Sequence, residues 1–335
     1  MKLENHHASL CVQKLGAMLH ECRFHLPDGR TVQPLYDAPW RSCVDPDYAS
    51  SDPLVSNLGS EWPCVPFGRP ESGVPELPEE WVPSDNGAWD EWAHGYASNH
   101  DWELEKVSAD HLIARLIYPD TSPVRQLVRH VRLMKDRPGI ALSLEVHARK
   151  AVSFPLGLHP VLSMEGIAPE SMDLTVADDA RAWTFPVDVE EGRSFFAPNQ
   201  QNMALDSLKT SSGGIFNVRH LPPDGQTEDL IMLTESGGRI SVSNPAQKCR
   251  TTLEWDPAQL PGCLLWISNG GRDYYPWNGR TAALGVEPIA SVFDLGRAYS
   301  LSEDTPLAAH GIKTSTFASP DAPLMCDYSI SVDPA

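Results

Sequence analysis

Apolar and polar residues alternate through Ile140-Ala-Leu-Ser-Leu-Glu-Val-His-Ala-Arg149, and a two-residue period of this kind puts one face of an extended strand on a core. Shorter runs of the same period occur at Arg239–Ser243, at Ser329–Asp333 and around Leu112–Tyr118. Two turn signals join expected hairpins. Pro27-Asp28-Gly29 separates Ala17–Leu26 from Thr31–Tyr36, and Arg137-Pro138-Gly139 separates Val128–Lys135 from Ile140–Arg149. Helical periodicity longer than two turns is hard to find, while 30 prolines and 23 glycines supply many turns. Many short strands with turns between them predict an all-β chain, a sandwich or a barrel.

A length of 335 residues suggests about two domains, but large β sandwiches exceed that rule as single units. No internal repeat or clear linker interrupts the chain. The Pro-rich stretch from Pro63 to Pro83 carries Trp, Phe and Val residues that tie it down, so it reads as a long ordered loop over a binding face. The expectation is therefore one domain over 1–335, with a core from about 8 to 300 and C-terminal strands to about 333.

The formal net charge is −19 and no Lys/Arg block stands out, so neither nucleic acid nor an anionic membrane is an expected partner. The first residues lack the basic-then-apolar pattern of a signal peptide, and no run of about 18 apolar residues suggests a membrane span. The seven cysteines, Cys11, Cys22, Cys43, Cys64, Cys249, Cys263 and Cys326, are scattered and form no Cys-x-x-Cys pair. Neither a disulfide framework nor a zinc site is indicated, and reduced thiols in a cytoplasm are the simplest reading. Ten tryptophans are more than a core needs, and the flat apolar face of an indole suits the C–H face of a sugar.

Three segments are richer in polar and aromatic residues than a plain strand or loop requires. In Trp92-Ala-His94-Gly-Tyr-Ala-Ser98-Asn99-His100-Asp101-Trp102-Glu103-Leu104, a histidine before glycine places an imidazole at the lip of a sheet, although an ordinary turn also fits. In Phe154-Pro-Leu-Gly157-Leu-His159-Pro160-Val161-Leu162, His159 lies in an apolar strand that Pro160 ends. An unpaired buried imidazole is costly, so His159 is either satisfied locally or faces a polar cavity. In Trp277-Asn-Gly-Arg280-Thr-Ala-Ala-Leu-Gly285-Val286-Glu287-Pro288, a carboxylate ends an apolar run. Partial desolvation there would raise its pKa and make it a better base, while a surface Glu before a turn is the plainer alternative.

Taken in order, these segments resemble the aldose 1-epimerase and hexose-6-phosphate mutarotase superfamily. HGYASNHDWEL is similar to its HGFAR-type motif followed by Trp-Glu-Leu, GLHPVLSM to its second histidine strand, and LGVEP to its C-terminal Val-Glu-Pro. GAMLHECRFHLPDGRTVQPLY resembles the opening hairpin, and Trp62-Pro-Cys-Val-Pro-Phe-Gly68 resembles a Pro-Trp-Phe-Gly segment of the phosphohexose branch. The resemblance spans about residues 8 to 300. It implies a galactose mutarotase-like β supersandwich with a single sugar-binding groove and a small-molecule sugar, an aldose or a sugar phosphate, as partner.

It also implies a mechanism. Mutarotation opens a cyclic hemiacetal when a base removes the anomeric hydroxyl proton and an acid protonates the ring oxygen, and neither metal nor redox cofactor is required. By resemblance Glu287 is the base, His159 the acid, and His94 positions the sugar near its ring oxygen. The scheme expects a proton on His159 and none on Glu287 when the sugar arrives. Arg69, Asp273, Tyr275 and Trp277 are the expected substrate contacts. Two positions depart from the pattern: Ser98 stands where the motif carries arginine, and Val161 and Leu162 replace an aromatic pair. A phosphosugar would want an arginine cluster, for which Arg69, Arg272 and Arg280 are candidates. Two other readings remain open: a carbohydrate-binding or sensing protein without turnover, and a related epimerase or lyase that uses the same pair differently.

Overall fold

The computed structural model describes residues 1–41, 53–83 and 91–335, and Cys43 lies outside them. The chain is mostly β. A nine-stranded and an eight-stranded antiparallel sheet form the body, with a four-stranded sheet at the N-terminus. The alternating segment is the Gly139–Ala148 strand, centred between Val124–Leu133 and the long Leu324–Pro334 strand. Both expected hairpins form. The second arm of the first is shorter than expected, ending at Val32, because Pro34 has no N–H to continue the ladder and the side chain of Gln247 bonds both backbone groups of Gln33 (2.7 and 2.9 Å).

The eight-stranded sheet explains why alternation fails elsewhere in the sequence. Its strands Thr227–Thr234, Gly262–Asn269 and Ala282–Ala290 are buried on both faces, so they read as continuous apolar runs. Leu265, Ile267, Leu284 and Val286 pack into the core shared with Leu127, Val131, Leu142 and Leu144 of the nine-stranded sheet. The opposite face presents Leu230, Met232, Leu264, Trp266 and Ile289 to a second cluster with Trp62, Phe67, Trp81 and Phe293. One face is sandwich core. The other carries the pocket.

The 63–83 segment crosses that second face as an ordered loop. Trp81 is fully buried and its indole N–H donates to Asn199 at 2.8 Å, while Arg69, Pro70 and Gly73 line the pocket. The six described cysteines are free. No helix among the described residues is long and apolar enough to cross a membrane.

Candidate active site

Strand register brings His159 and Glu287 together. Leu156–Leu158 pairs with Ala282–Ala290 through Gly157↔Ile289, and Val161–Ser163 pairs with the same strand through Val161↔Gly285. The residues between are in the same register, so His159 falls opposite Glu287. Pro160 breaks the strand there but keeps a ladder contact, because its carbonyl accepts from the Val286 N–H at 2.9 Å. On its other side the His159 N–H donates to the Trp62 carbonyl at 2.9 Å. Trp62, His159, Glu287 and Leu264 thus form one row across four strands, all on the pocket face.

Side chains complete the row. Trp62 stacks on the His159 ring, with centroids 4.0 Å apart and planes 18° apart. His159 Nε2 is 3.4 Å from Glu287 Oε1, and the side chains are 6% and 2% exposed. Gly285 makes room for this carboxyl, since a Cβ at position 285 would lie 2.3 Å from Glu287 Oε1.

His94 enters from the lip. It has φ 55 and ψ 23, in the left-handed region that a non-glycine residue adopts only when its surroundings impose it. Its N–H donates to the Gly68 carbonyl, and Gly95 follows because a Cβ there would lie 2.4 Å from the Val65 carbonyl oxygen. The His94 ring meets His159 edge-on, with centroids 5.1 Å apart. The Nδ1 atoms of both rings are buried without a hydrogen-bond partner. Such atoms are rare in native structures.

Electrostatics qualify one expectation. Burial pushes the Glu287 carboxyl well above its ordinary 4.5, reinforced by the charge of Asp294. Burial likewise holds His159 well below 6.5, reinforced by His94. His94 is lowered to about 4 by burial, with Asp294 opposing the shift and Arg69 adding to it. Burial of both groups therefore favours a proton on Glu287 and a neutral His159 before a sugar binds, whereas the scheme expects the opposite arrangement once the sugar arrives, because an ion pair this deep loses the solvation of both charges. The two arrangements hold the same number of protons. They differ by the position of one proton between atoms 3.4 Å apart.

The pocket around this pair has a volume of about 320 Å³, within the usual range for small-molecule sites. Trp62, Trp266 and Trp277 supply aromatic wall. Of the four expected substrate contacts, Arg69 and Trp277 line the pocket. Asp273 and Tyr275 do not. Asp273 is largely exposed and pairs with Arg193 at 3.1 Å, and Tyr275 is 42% exposed. Their neighbours Arg272 and Tyr274 line it instead, because Arg272 is drawn inward by Glu228 (2.9 Å) and Glu190 (3.1 Å) and lies over Trp277 at 4.6 Å. Arg280 lines a separate cleft with Tyr36, Asp37 and Glu165, so two of the three candidate arginines converge.

Ser98 and the 161–162 pair do not line the pocket. Ser98 is buried in the Gly95–Asn99 helix and its hydroxyl donates to the His94 carbonyl at 2.8 Å, while Val161 and Leu162 are core residues. Sequence reasoning missed Trp266, Glu190 and Asp294 as pocket residues. Among the described residues no group of three or more His, Cys, Asp or Glu side chains is arranged to hold a metal ion.

No family model matches the chain, and no curated protein matches it either. Solved structures do. The Slr1438 protein of Synechocystis sp. PCC 6803 aligns with a TM-score of 0.64 at 15% identity, covering 100% of this chain and 96% of that one. A galactose mutarotase related enzyme from Lactobacillus acidophilus aligns at 0.59 and 13% identity, covering 99% and 96%. A galactose mutarotase-like protein from Lactobacillus casei aligns at 0.56 and 14%, covering 99% of each chain. The fold is the galactose mutarotase-like β sandwich.

Proposed function

We propose that this chain is a mutarotase that interconverts the anomers of an aldose, with Glu287 as base and His159 as acid. The observation that carries the reading is the 3.4 Å contact of these side chains on the floor of an aromatic-walled pocket. A site that only binds sugar has no need of a buried acid–base pair joined in this way. The names of the structural neighbours fit the same reading. Binding of the sugar's hydroxyls moves the shared proton from Glu287 to His159. Glu287 then takes the anomeric proton as His159 protonates the ring oxygen. Once the ring is open the pair is back in its neutral arrangement, the form that burial favours, so the site is matched to the open-chain intermediate. Ring closure from the other face reverses both transfers.

His94, Arg69 and Trp277 position the sugar in this scheme, and we take Arg272 and Tyr274 in place of Asp273 and Tyr275. The chain acts as a single domain in the cytoplasm, where its reduced cysteines are stable, and it uses no cofactor. The departures at Ser98 and Val161, which fit a binder that has lost turnover, do not line the pocket but pack just behind it: Ser98 bonds the His94 carbonyl, and Val161 packs in the cluster that includes Trp62 and Trp266.

The test is the optical rotation of freshly dissolved α-D-glucose and α-D-galactose with wild type and Glu287→Gln. Wild type accelerates equilibration of at least one, and Glu287→Gln does not. Sugar binding without acceleration by wild type would support the non-catalytic reading instead.

A further inference from the structure

Each arginine that lines the pocket is held by at least one carboxylate. Arg69 is bonded to the Asp294 carboxylate, donates to the Gly73 carbonyl at 3.0 Å and lies 5.3 Å from the Phe185 ring centroid. Its backbone N–H also donates to the Asp294 carbonyl at 2.8 Å, so main chain and side chain fix the two residues against each other. Arg272 is held between Glu190 and Glu228, and Glu228 also accepts from the Trp266 indole (2.6 Å) and the Ser268 hydroxyl (2.7 Å). The two guanidiniums face three carboxylates, and among the described residues no arginine or lysine lining the pocket lacks a carboxylate partner.

A phosphate ester is held by charge-assisted hydrogen bonds from unengaged cations. Here its two negative charges would meet carboxylates beside each arginine. A hydroxyl needs only donors and acceptors, and the Asp294–Arg69 pair keeps one of each unpaired: Asp294 Oδ1 and Arg69 Nε are buried without a hydrogen-bond partner. A buried acceptor left unpaired penalises any ligand that fails to donate to it.

We propose that Asp294 is a specificity-determining residue that selects an uncharged aldose over its phosphate ester, by neutralising Arg69 and offering Oδ1 to a sugar hydroxyl. The proposal rests on the anomer-exchange reading above. Removing the carboxylate deletes the acceptor and frees the Arg69 guanidinium for phosphate. The two kinds of substrate then move in opposite directions, which a purely structural loss does not produce.

Anomer exchange followed by NMR tests this with glucose, galactose and their 6-phosphates, using wild type, Asp294→Asn and Asp294→Ala, each checked by thermal melting. For at least one sugar, wild type gives a kcat/KM about ten-fold or more above that for its phosphate ester, as expected for one charge-assisted hydrogen bond. The ratio falls by about ten-fold in Asp294→Ala and by less in Asp294→Asn, whose amide oxygen still accepts. A wild-type preference for the esters overturns the proposal, and so does a ratio unchanged in the folded variants. Should Asp294→Ala not fold, the asparagine variant carries the comparison. If wild type accelerates no sugar, the mutarotase reading fails, and Asp294 is judged by ligand-observed NMR titration of the same four sugars. The same order of affinities and the same shift in the variants support it. Equal affinities, or no binding, overturn it.

Discussion

Gly285→Ala tests the geometry of the pair without touching its chemistry. Position 285 is two residues before Glu287 on the same strand face, and an added Cβ would lie 2.3 Å from Glu287 Oε1 and 3.0 Å from Trp266 Cβ. The first distance is shorter than real contacts allow, and the second is tighter than most of them. Gly285 is paired with Trp266 and with Val161 on either side, so the strand cannot shift away and the Glu287 carboxyl must turn. Overpacking of this kind destabilises by about 1–3 kcal/mol. Displacing a proton-transfer group by about 1 Å lowers turnover by about 100-fold. A control lies on the neighbouring strand: a Cβ at Gly262 would meet Met232 Cε at 2.4 Å, the far end of a flexible side chain that can swing aside. Anomer-exchange rates and thermal melting of both variants decide the matter. Gly262→Ala keeps its rate, while Gly285→Ala stays folded and loses about two orders of magnitude in kcat. A folded Gly285→Ala with wild-type kcat would refute the placement of the carboxyl at the reacting atoms.

Glu287→Gln keeps the shape of the site but removes its proton-transfer group, and it lowers kcat by about 100- to 10,000-fold with little change in sugar affinity measured by titration. Arg129→Met breaks the buried network in which Arg129 bonds Glu61, the Tyr328 hydroxyl and the Ala17 carbonyl, and urea unfolding shows a loss of about 3–5 kcal/mol because Glu61 is left uncompensated. His94 contributes to the pH dependence of stability with a definite sign. Its folded pKa of about 4 lies below its ordinary 6.5, so its contribution is complete above pH 6.5 and is lost as pH falls toward 4. Glu287, raised above 4.5, works in the opposite direction, so the readout is the stability difference between wild type and His94→Gln. Measured by urea unfolding, that difference falls on acidification by at most about 3 kcal/mol; a difference that does not change with pH contradicts the burial of the imidazole.

Sequence and structure agree where one physical signal dominates. Alternation marks Gly139–Ala148 because only one of its faces is covered, and it is silent in Thr227–Thr234 and Gly262–Asn269 because both faces are. Trp266 was hidden for that reason: in a strand buried throughout, nothing in the residue pattern separates the pocket face from the sandwich face. His159 and Glu287 were legible through flanking prolines and motif order, but their pairing depends on register across strands more than 120 residues apart. The loop that follows Asn269 has no period, so proximity in sequence could not choose between Arg272 and Asp273, or between Tyr274 and Tyr275. Carboxylates on distant segments make that choice. Asp294 looks like an ordinary polar residue beyond a strand until its carboxylate is found beside Arg69. The protonation of the pair before a sugar binds was not legible, because burial, which sequence does not report, outweighs the attraction of opposite charges there.

The central claim is that His159 and Glu287 share one proton and use it to exchange anomers. It is tested most directly by the pH dependence of aldose anomer exchange catalysed by wild type. The account predicts acceleration over buffer at neutral pH that persists below pH 6.5, since burial keeps the pair from taking up a further proton from solvent there, and that fails at high pH as the shared proton leaves. No acceleration of any aldose at any pH, or an acid limb at the ordinary imidazole value of 6.5, would contradict it.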